Sequence, residues 1–206
     1  MSRRNNLAGR CPHCSLLSDL CLCAELPRLE PRTRLCLVLH RFEARKPTNS
    51  GGLAARCLSG SAVVVHGRAD QPTAAPSLGE RRGLVLFPSD DAEPLTPTHA
   101  HGEPVTLFVP DGTWRQAGKM CRRLPWLSAL PRVALPPGPP STYRLRAEVR
   151  PRGLATMEAI ARAMGILEGP AVQRELERVF SLMVERTLIA RGALPRAELK
   201  VKDCRT

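Results

Sequence analysis

Four thiols lie within thirteen residues, as Cys11-Pro-His-Cys14 followed by Cys21-Leu-Cys23. C-x2-C is the usual half-site of a zinc knuckle, and C-x-C is a less common partner for it. His13 is placed to replace one sulfur. A segment this short cannot build its own core, and a metal held by four thiolates supplies the missing cross-link. Four protein ligands would close the coordination sphere, so the expected role is structural. The competing reading is four reduced thiols without metal, or an adventitious disulfide pair. The other cysteines, Cys36, Cys57, Cys121 and Cys204, are scattered and read as buried or idle.

The second stretch with chemistry in it is PVTLFVPDGTWRQAGKMCRRLPWL, residues 104–127. An apolar run predicts a buried strand over 105–109 that ends at Pro110. Asp111 and Gly112 then form a turn, and a helix follows over 114–124. Ligands in open α/β sheets gather at the carboxyl ends of strands, where this pattern puts Asp111. Asp111 is therefore a candidate catalytic carboxylate and equally a candidate helix N-cap, two roles that are compatible.

Read by helical angle, Trp114, Ala117, Cys121 and Leu124 share one side, and Arg115, Lys119, Arg122 and Arg123 the other. Trp114 is expected to anchor the helix on the core. The basic side is either a phosphate-binding stripe or an ordinary solvated face. No acidic residue occurs between Thr113 and Ser128, which favours RNA.

The elements that would hold these groups alternate. Short β-rich runs at 33–40, 62–65, 84–87, 105–109 and 133–135 are bounded by turn formers, with helices at 52–58 and 114–124 between them. The proline run over 135–140 must be extended. Two amphipathic helices follow, one carrying Leu154, Met157, Ala161 and Met164, the other Val172, Leu176, Val179, Phe180 and Met183. The pattern predicts an α/β fold with a mainly parallel sheet and helices on both faces. It divides the chain into a Cys-rich head, residues 1–30, and a catalytic domain, residues 31–206.

Charge narrows the partners. The chain of 206 residues carries a formal net charge of +12, which attracts polyanions, nucleic acid first and acidic membrane surfaces second. No apolar stretch approaches the roughly 20 residues that span a bilayer. The arginines of residues 1–10 precede no apolar segment, so no secretory signal is expected, and a cytoplasmic location with reduced thiols is the default. No GxGxxG fingerprint occurs, which argues against a dinucleotide site of that type.

Several segments, taken in order along the chain, resemble the DTW-domain family. Asp111-Gly-Thr-Trp114 matches its D-x-T-W signature, and the Cys11–Cys23 head resembles its zinc-knuckle start. LHRFEARKPTNSG, residues 39–51, resembles its H-x-x-E and S-N-T-G loop, with Pro47-Thr48-Asn49-Ser50-Gly51 as a mild variant. PPSTYRLR, residues 139–146, resembles its S-x-Y-x-L-R segment, and LATMEA, residues 154–159, a segment ending in Glu-Ala. The resemblance implies a fold similar to SPOUT-class RNA methyltransferases with a C-terminal knot. It also implies an activity: transfer of the 3-amino-3-carboxypropyl group of S-adenosylmethionine to a tRNA uridine, leaving methylthioadenosine.

On that implication Asp111 takes the N3 proton of the uracil or only positions its edge. Ser141, Arg144 and Arg146 are candidates for the carboxylate of S-adenosylmethionine. The adenosine is expected in the loop after Leu135 and against Leu154 and Thr156, with Pro88 closing the same pocket. Arg41, Arg45 and Lys46 form a second basic patch beside the first loop. Tyr143 is either a base-stacking ring or a core residue, and His40 and Glu43 read as structural. A methyltransferase acting on RNA and a zinc-knuckle RNA-binding protein without activity remain the alternatives.

Overall fold

Strand β1 (Arg34–His40) shows in one segment how the chain is layered. Leu35, Leu37 and Leu39 enter one buried cluster, and Cys36 and Val38 enter another on the opposite face. A strand buried on both faces has no polar side to show, which is why its sequence is almost continuously apolar. The computed structural model describes residues 9–68, 73–143, 145 and 153–196.

The remaining strands are β2 (Ala62–His66), β3 (Arg82–Leu86), β4 (Glu93–Pro94), β5 (Val105–Asp111) and β6 (Arg132–Ala134). They form one sheet in the order β2-β1-β5-β3-β6-β4, and every pairing is parallel. Parallel neighbours require crossovers, and the helices supply them. Helix α1 (Ser50–Cys57) links β1 to β2, while α2 (Trp114–Arg123) and the single turn α3 (Pro125–Ser128) link β5 to β6. The carboxyl-terminal helices α4 (Thr156–Glu168) and α5 (Pro170–Ala190) are joined by Gly169 alone. Its φ of 100° is a conformation that favours glycine, and it lets the two helices turn and pack on each other.

One face of the sheet carries α1, α4 and α5, with Met157, Ile160, Met164, Leu176 and Val179 fully buried there. The other carries α2 and α3, packed through Met120, Cys121 and Leu127. The expected parallel sheet with helices on both faces is what the molecule has. Cys36, Cys57 and Cys121 are buried thiols as expected, and burial pushes their pKa values up, to about 11, about 12 and about 11. Cys204 lies outside the described residues.

Two details differ from the sequence reading. The two-residue edge strand β4 was not anticipated, because Glu93 and Pro94 carry no β signal and pair only with β6. Strand β5 also does not stop before Pro110 but runs through it to Asp111. Proline interrupts a strand when it removes a ladder donor. Beyond Phe108, however, β5 is paired with β1 and no longer with β3, so Pro110 stands where the strand is half an edge.

Candidate active site

The last residue of β5 is Asp111, 5% exposed. Its carboxylate is held from two other elements. Asn49 donates through Nδ2 to Oδ2 at 2.6 Å, and Thr156 donates through its hydroxyl to Oδ1 at 2.7 Å. Asn49 is the N-cap of α1, where its own Oδ1 accepts from the Gly52 amide at 2.7 Å. Thr156 is the first residue of α4. Three segments far apart in sequence thus converge on one carboxylate. Between them lies Gly51, where a methyl group would come within 2.6 Å of Asp111 Oδ2 and 3.0 Å of both Leu37 Cδ1 and Thr156 Cγ2. Only a residue without a side chain fits that close approach.

Asp111 does not cap α2. That role belongs to Thr113, whose hydroxyl accepts from the Gln116 amide at 3.3 Å while the Gln116 side chain accepts from the Thr113 amide at 2.8 Å. With the cap provided two residues later, the carboxylate is left to its contacts at the sheet's carboxyl edge.

Trp114 also differs from the expectation of a core anchor. The side of α2 that packs on the sheet is Ala117, Gly118, Met120 and Cys121. Trp114 is half-buried, its ring 6.1 Å from that of Phe87, and it lines two adjoining cavities. The first, about 320 Å³, is walled by the ends of β3 and β5, by the proline loop after β6 and by α4. Leu86, Phe87, Pro88, Val109, Leu135 and Pro137 make it largely apolar. The second, about 400 Å³, holds Glu43, Thr48, Asn49, Ser50, Asp111, Thr113 and Arg115. Gly112, Trp114, Leu154 and Thr156 belong to both, so the two are lobes of one cleft with Asp111 at the seam. The cleft opens where parallel strands end, and its size suits a small-molecule site.

Of the residues expected around a donor, Pro88, Leu135, Leu154 and Thr156 meet in the apolar lobe. Ser141 does not. Its hydroxyl donates to Glu158 at 2.6 Å, and it lines neither lobe. Glu158, 6% exposed, also accepts from the Thr142 and Ala155 amides, each at 2.8 Å, and so ties the loop after β6 to the start of α4. Arg144 and Arg146 lie outside the described residues. Sequence reasoning missed Asn49, Gly51, Glu158 and the cleft-lining place of Trp114. Asn49 and Gly51 did leave a signal, since both stand in the Thr-Asn-Ser-Gly string.

The basic side of α2 is present: Arg115, Arg122 and Arg123 are exposed and Lys119 is partly so, with Arg115 reaching the polar lobe. In the first loop Arg41 and Arg45 are exposed, and the Arg41 guanidinium sits 4.6 Å from the centre of the Phe42 ring. Lys46 is engaged by the buried Glu43 carboxylate. Tyr143 packs its ring 5.5 Å from that of Phe180 while its edge reaches the polar lobe, so one side of it already belongs to the core. Burial, with His66 and Arg41 nearby, holds the His40 imidazole below its ordinary value.

Cys11, Cys14, Cys21 and Cys23 come together, with all four sulfurs within 4.8 Å of one another. Cys11 and Cys23 are 3.6 Å apart and Cys14 and Cys21 3.7 Å apart. Sulfurs at about 2.3 Å from a tetrahedral zinc stand about 3.8 Å from each other, so the cluster has the dimensions of the site it resembles. Burial pushes the Cys14 and Cys23 thiols up, while nearby backbone amides and neighbouring thiols outweigh burial at Cys11 and bring it to about 6. Such a cluster ionises fully only when a cation offsets the charge. Leu16 and Leu22 of the head join the same buried cluster as β1 and α5, and Arg186 of α5 clamps it through the Cys21 carbonyl and the Glu25 carboxylate.

No helix among the described residues is long and apolar enough to cross a membrane. Residues 8–188 match the family model described as the DTW domain. The chain is 26% identical over 182 residues to tRNA-uridine aminocarboxypropyltransferase 2 of Drosophila melanogaster, covering 84% of this chain and 72% of that one. It is 30% and 29% identical to the proteins of the same name from Macaca fascicularis and Mus musculus, covering 77% of this chain. It spans only 56% of the length of each of those two relatives. Among solved structures, the SAM-dependent rRNA:acp-transferase of Vulcanisaeta distributa superposes with a TM-score of 0.52 over 79% of both chains. At 19% identity that likeness is one of fold.

Proposed function

This chain belongs to the DTW-domain family, and from that premise we propose that it transfers the 3-amino-3-carboxypropyl group of S-adenosylmethionine to N3 of a uridine in tRNA. The observation that carries the reading is the Asp111 carboxylate, fixed by Asn49 and Thr156 at the seam of an apolar and a polar lobe.

The two lobes suit the two halves of the reaction. N3 of the uracil attacks Cγ of the methionine part, and the Cγ–S bond breaks. The bonding pair leaves with sulfur, so the sulfonium becomes the neutral thioether of methylthioadenosine, and the N3 proton passes to a base. An apolar lobe walled by Pro88, Leu135, Leu154 and Thr156 favours an uncharged, aromatic leaving group. The polar lobe, with Asp111 and Thr113 and with Arg115 at hand, suits a uracil edge and its phosphate. Asp111 accepts from N3–H and either takes the proton or aims the nitrogen at Cγ. Holding both partners in line supplies much of the rate, and Asn49 and Thr156 fix the carboxylate that does so.

Arg144 and Arg146 remain candidates for the donor's carboxylate; Ser141, engaged by Glu158, is a weaker one. The tRNA backbone runs along Arg115, Lys119, Arg122 and Arg123 and reaches Arg41 and Arg45, with Lys46 and Tyr143 contributing less. Cys11, Cys14, Cys21 and Cys23 hold a structural zinc in the head, residues 1–30, which supports the catalytic domain, residues 31–206. The protein acts in the cytoplasm, where its thiols stay reduced.

The test is direct. The protein is incubated with S-adenosylmethionine and unmodified tRNA, and the digested nucleosides are analysed by mass spectrometry. Aminocarboxypropyl-uridine with methylthioadenosine is expected. Methylated uridine, or unchanged tRNA, overturns the reading.

A further inference from the structure

Among the described residues, Arg162 is the one charged residue lining the apolar lobe. It is partly buried, and among the described residues no hydrogen bond or ion pair engages its guanidinium. With no such partner engaging it, the guanidinium is free to meet the π-face of a ligand that enters the lobe. Its place in the lobe is fixed at two points. On α4 it follows Thr156 and Ala159 along a ridge of residues three apart, all facing the lobe. Six residues at 1.5 Å each put it about 9 Å along the axis from Thr156. At the far point, a methyl group on Gly138 would stand 3.3 Å from Arg162 Nη1, so the guanidinium lies against the proline loop.

That location selects which part of the donor it meets. Thr156 bonds Asp111 and marks the reacting end. The donor's carboxylate carbon is three single bonds of about 1.5 Å from Cγ and must stay near that end. The adenine begins six bonds from Cγ, through sulfur and the ribose, and extends the other way. The sulfonium and ammonium repel a cation. We propose that Arg162 lies against the adenine ring of the donor, its planar guanidinium stacked on the π-face and backed by Gly138. Such a contact is open to arginine and poorly matched by lysine. The proposal rests on the donor reading above and extends it to the residue that selects the nucleoside.

The experiment measures affinities of the wild-type protein and of Arg162→Ala and Arg162→Lys for S-adenosylmethionine and for 5′-methylthioadenosine, by calorimetry. Circular dichroism and thermal melting verify that both variants fold. Both ligands share the adenosine, and only the first has a carboxylate. Both variants are expected to lose roughly tenfold in affinity for both ligands alike. Loss confined to S-adenosylmethionine would move Arg162 to the carboxylate, and rescue by lysine would reduce it to a point charge. Unchanged affinity would remove it from the donor site, and each of these results overturns the proposal. If the wild-type protein binds neither ligand, the donor reading fails as a whole and takes this one with it.

Discussion

A carboxylate is useful in group transfer only if it points the same way each time, and here the restraint is visible atom by atom. Asp111 accepts from Asn49 on one oxygen and Thr156 on the other, and Gly51 leaves the space for both. Asp111→Ala is expected to keep the fold and most donor affinity while abolishing transfer, read as product by mass spectrometry beside a binding isotherm; near-normal turnover would refute the role. Gly51→Ala tests the fit rather than the chemistry. Its methyl would meet Asp111 Oδ2 at 2.6 Å and force a shift. Small displacements of a positioned group cost on the order of 10²-fold in rate. The variant should therefore lose about that much kcat with its melting temperature lowered by only a few degrees.

At the scale of elements, two helices carry surfaces that do different work. On α2 the capping box at Thr113 and Gln116 starts the helix, Met120 and Cys121 bury it, and Arg115, Arg122 and Arg123 stay exposed. Each lysine or arginine that neutralises a phosphate contributes about one to the slope of log affinity against log salt. Arg122→Gln with Arg123→Gln should raise the KM for tRNA, leave donor affinity unchanged and flatten that slope by about two. An unaltered salt dependence would return the stripe to a merely solvated face. On α5, Arg186 is 3% exposed and clamps the cysteine head to the helix. Cys14→Ser should lower the metal content from about one zinc per chain and reduce the melting temperature. Fully metal-free protein with an unchanged melting curve would remove zinc from the account.

For the molecule as a whole, the sheet order matters more than any one strand. Between β1 and β3, strand β5 outruns its neighbour, and past Phe108 it is paired on one side only. That unfilled gap is where the cleft lies and where Pro110 is tolerated. A net charge of +12 surrounds it, which serves the approach of a polyanion from any direction and its docking only where the field is shaped by a groove.

Much of this was legible in the chain. The alternation of apolar runs with helical periods settled a parallel α/β fold, because a strand buried on both faces must be apolar throughout and a helix buried on one must repeat near 3.6. The cysteine spacing picked out the four thiols that meet, and the Asp-Gly-Thr-Trp string placed a carboxylate at a strand end. Other features required the tertiary structure. Periodicity assigned Trp114 to the core side of α2, yet the helix meets the sheet a turn later and leaves the ring between the two lobes. Asp111 reads locally as a helix cap, but Thr113 takes that place, and the partners of Asp111 come from 62 and 45 residues away. Spacing rules see neighbours within a turn or a strand. Contacts between distant segments depend on strand order and on how far each strand runs, and the fold alone decides those.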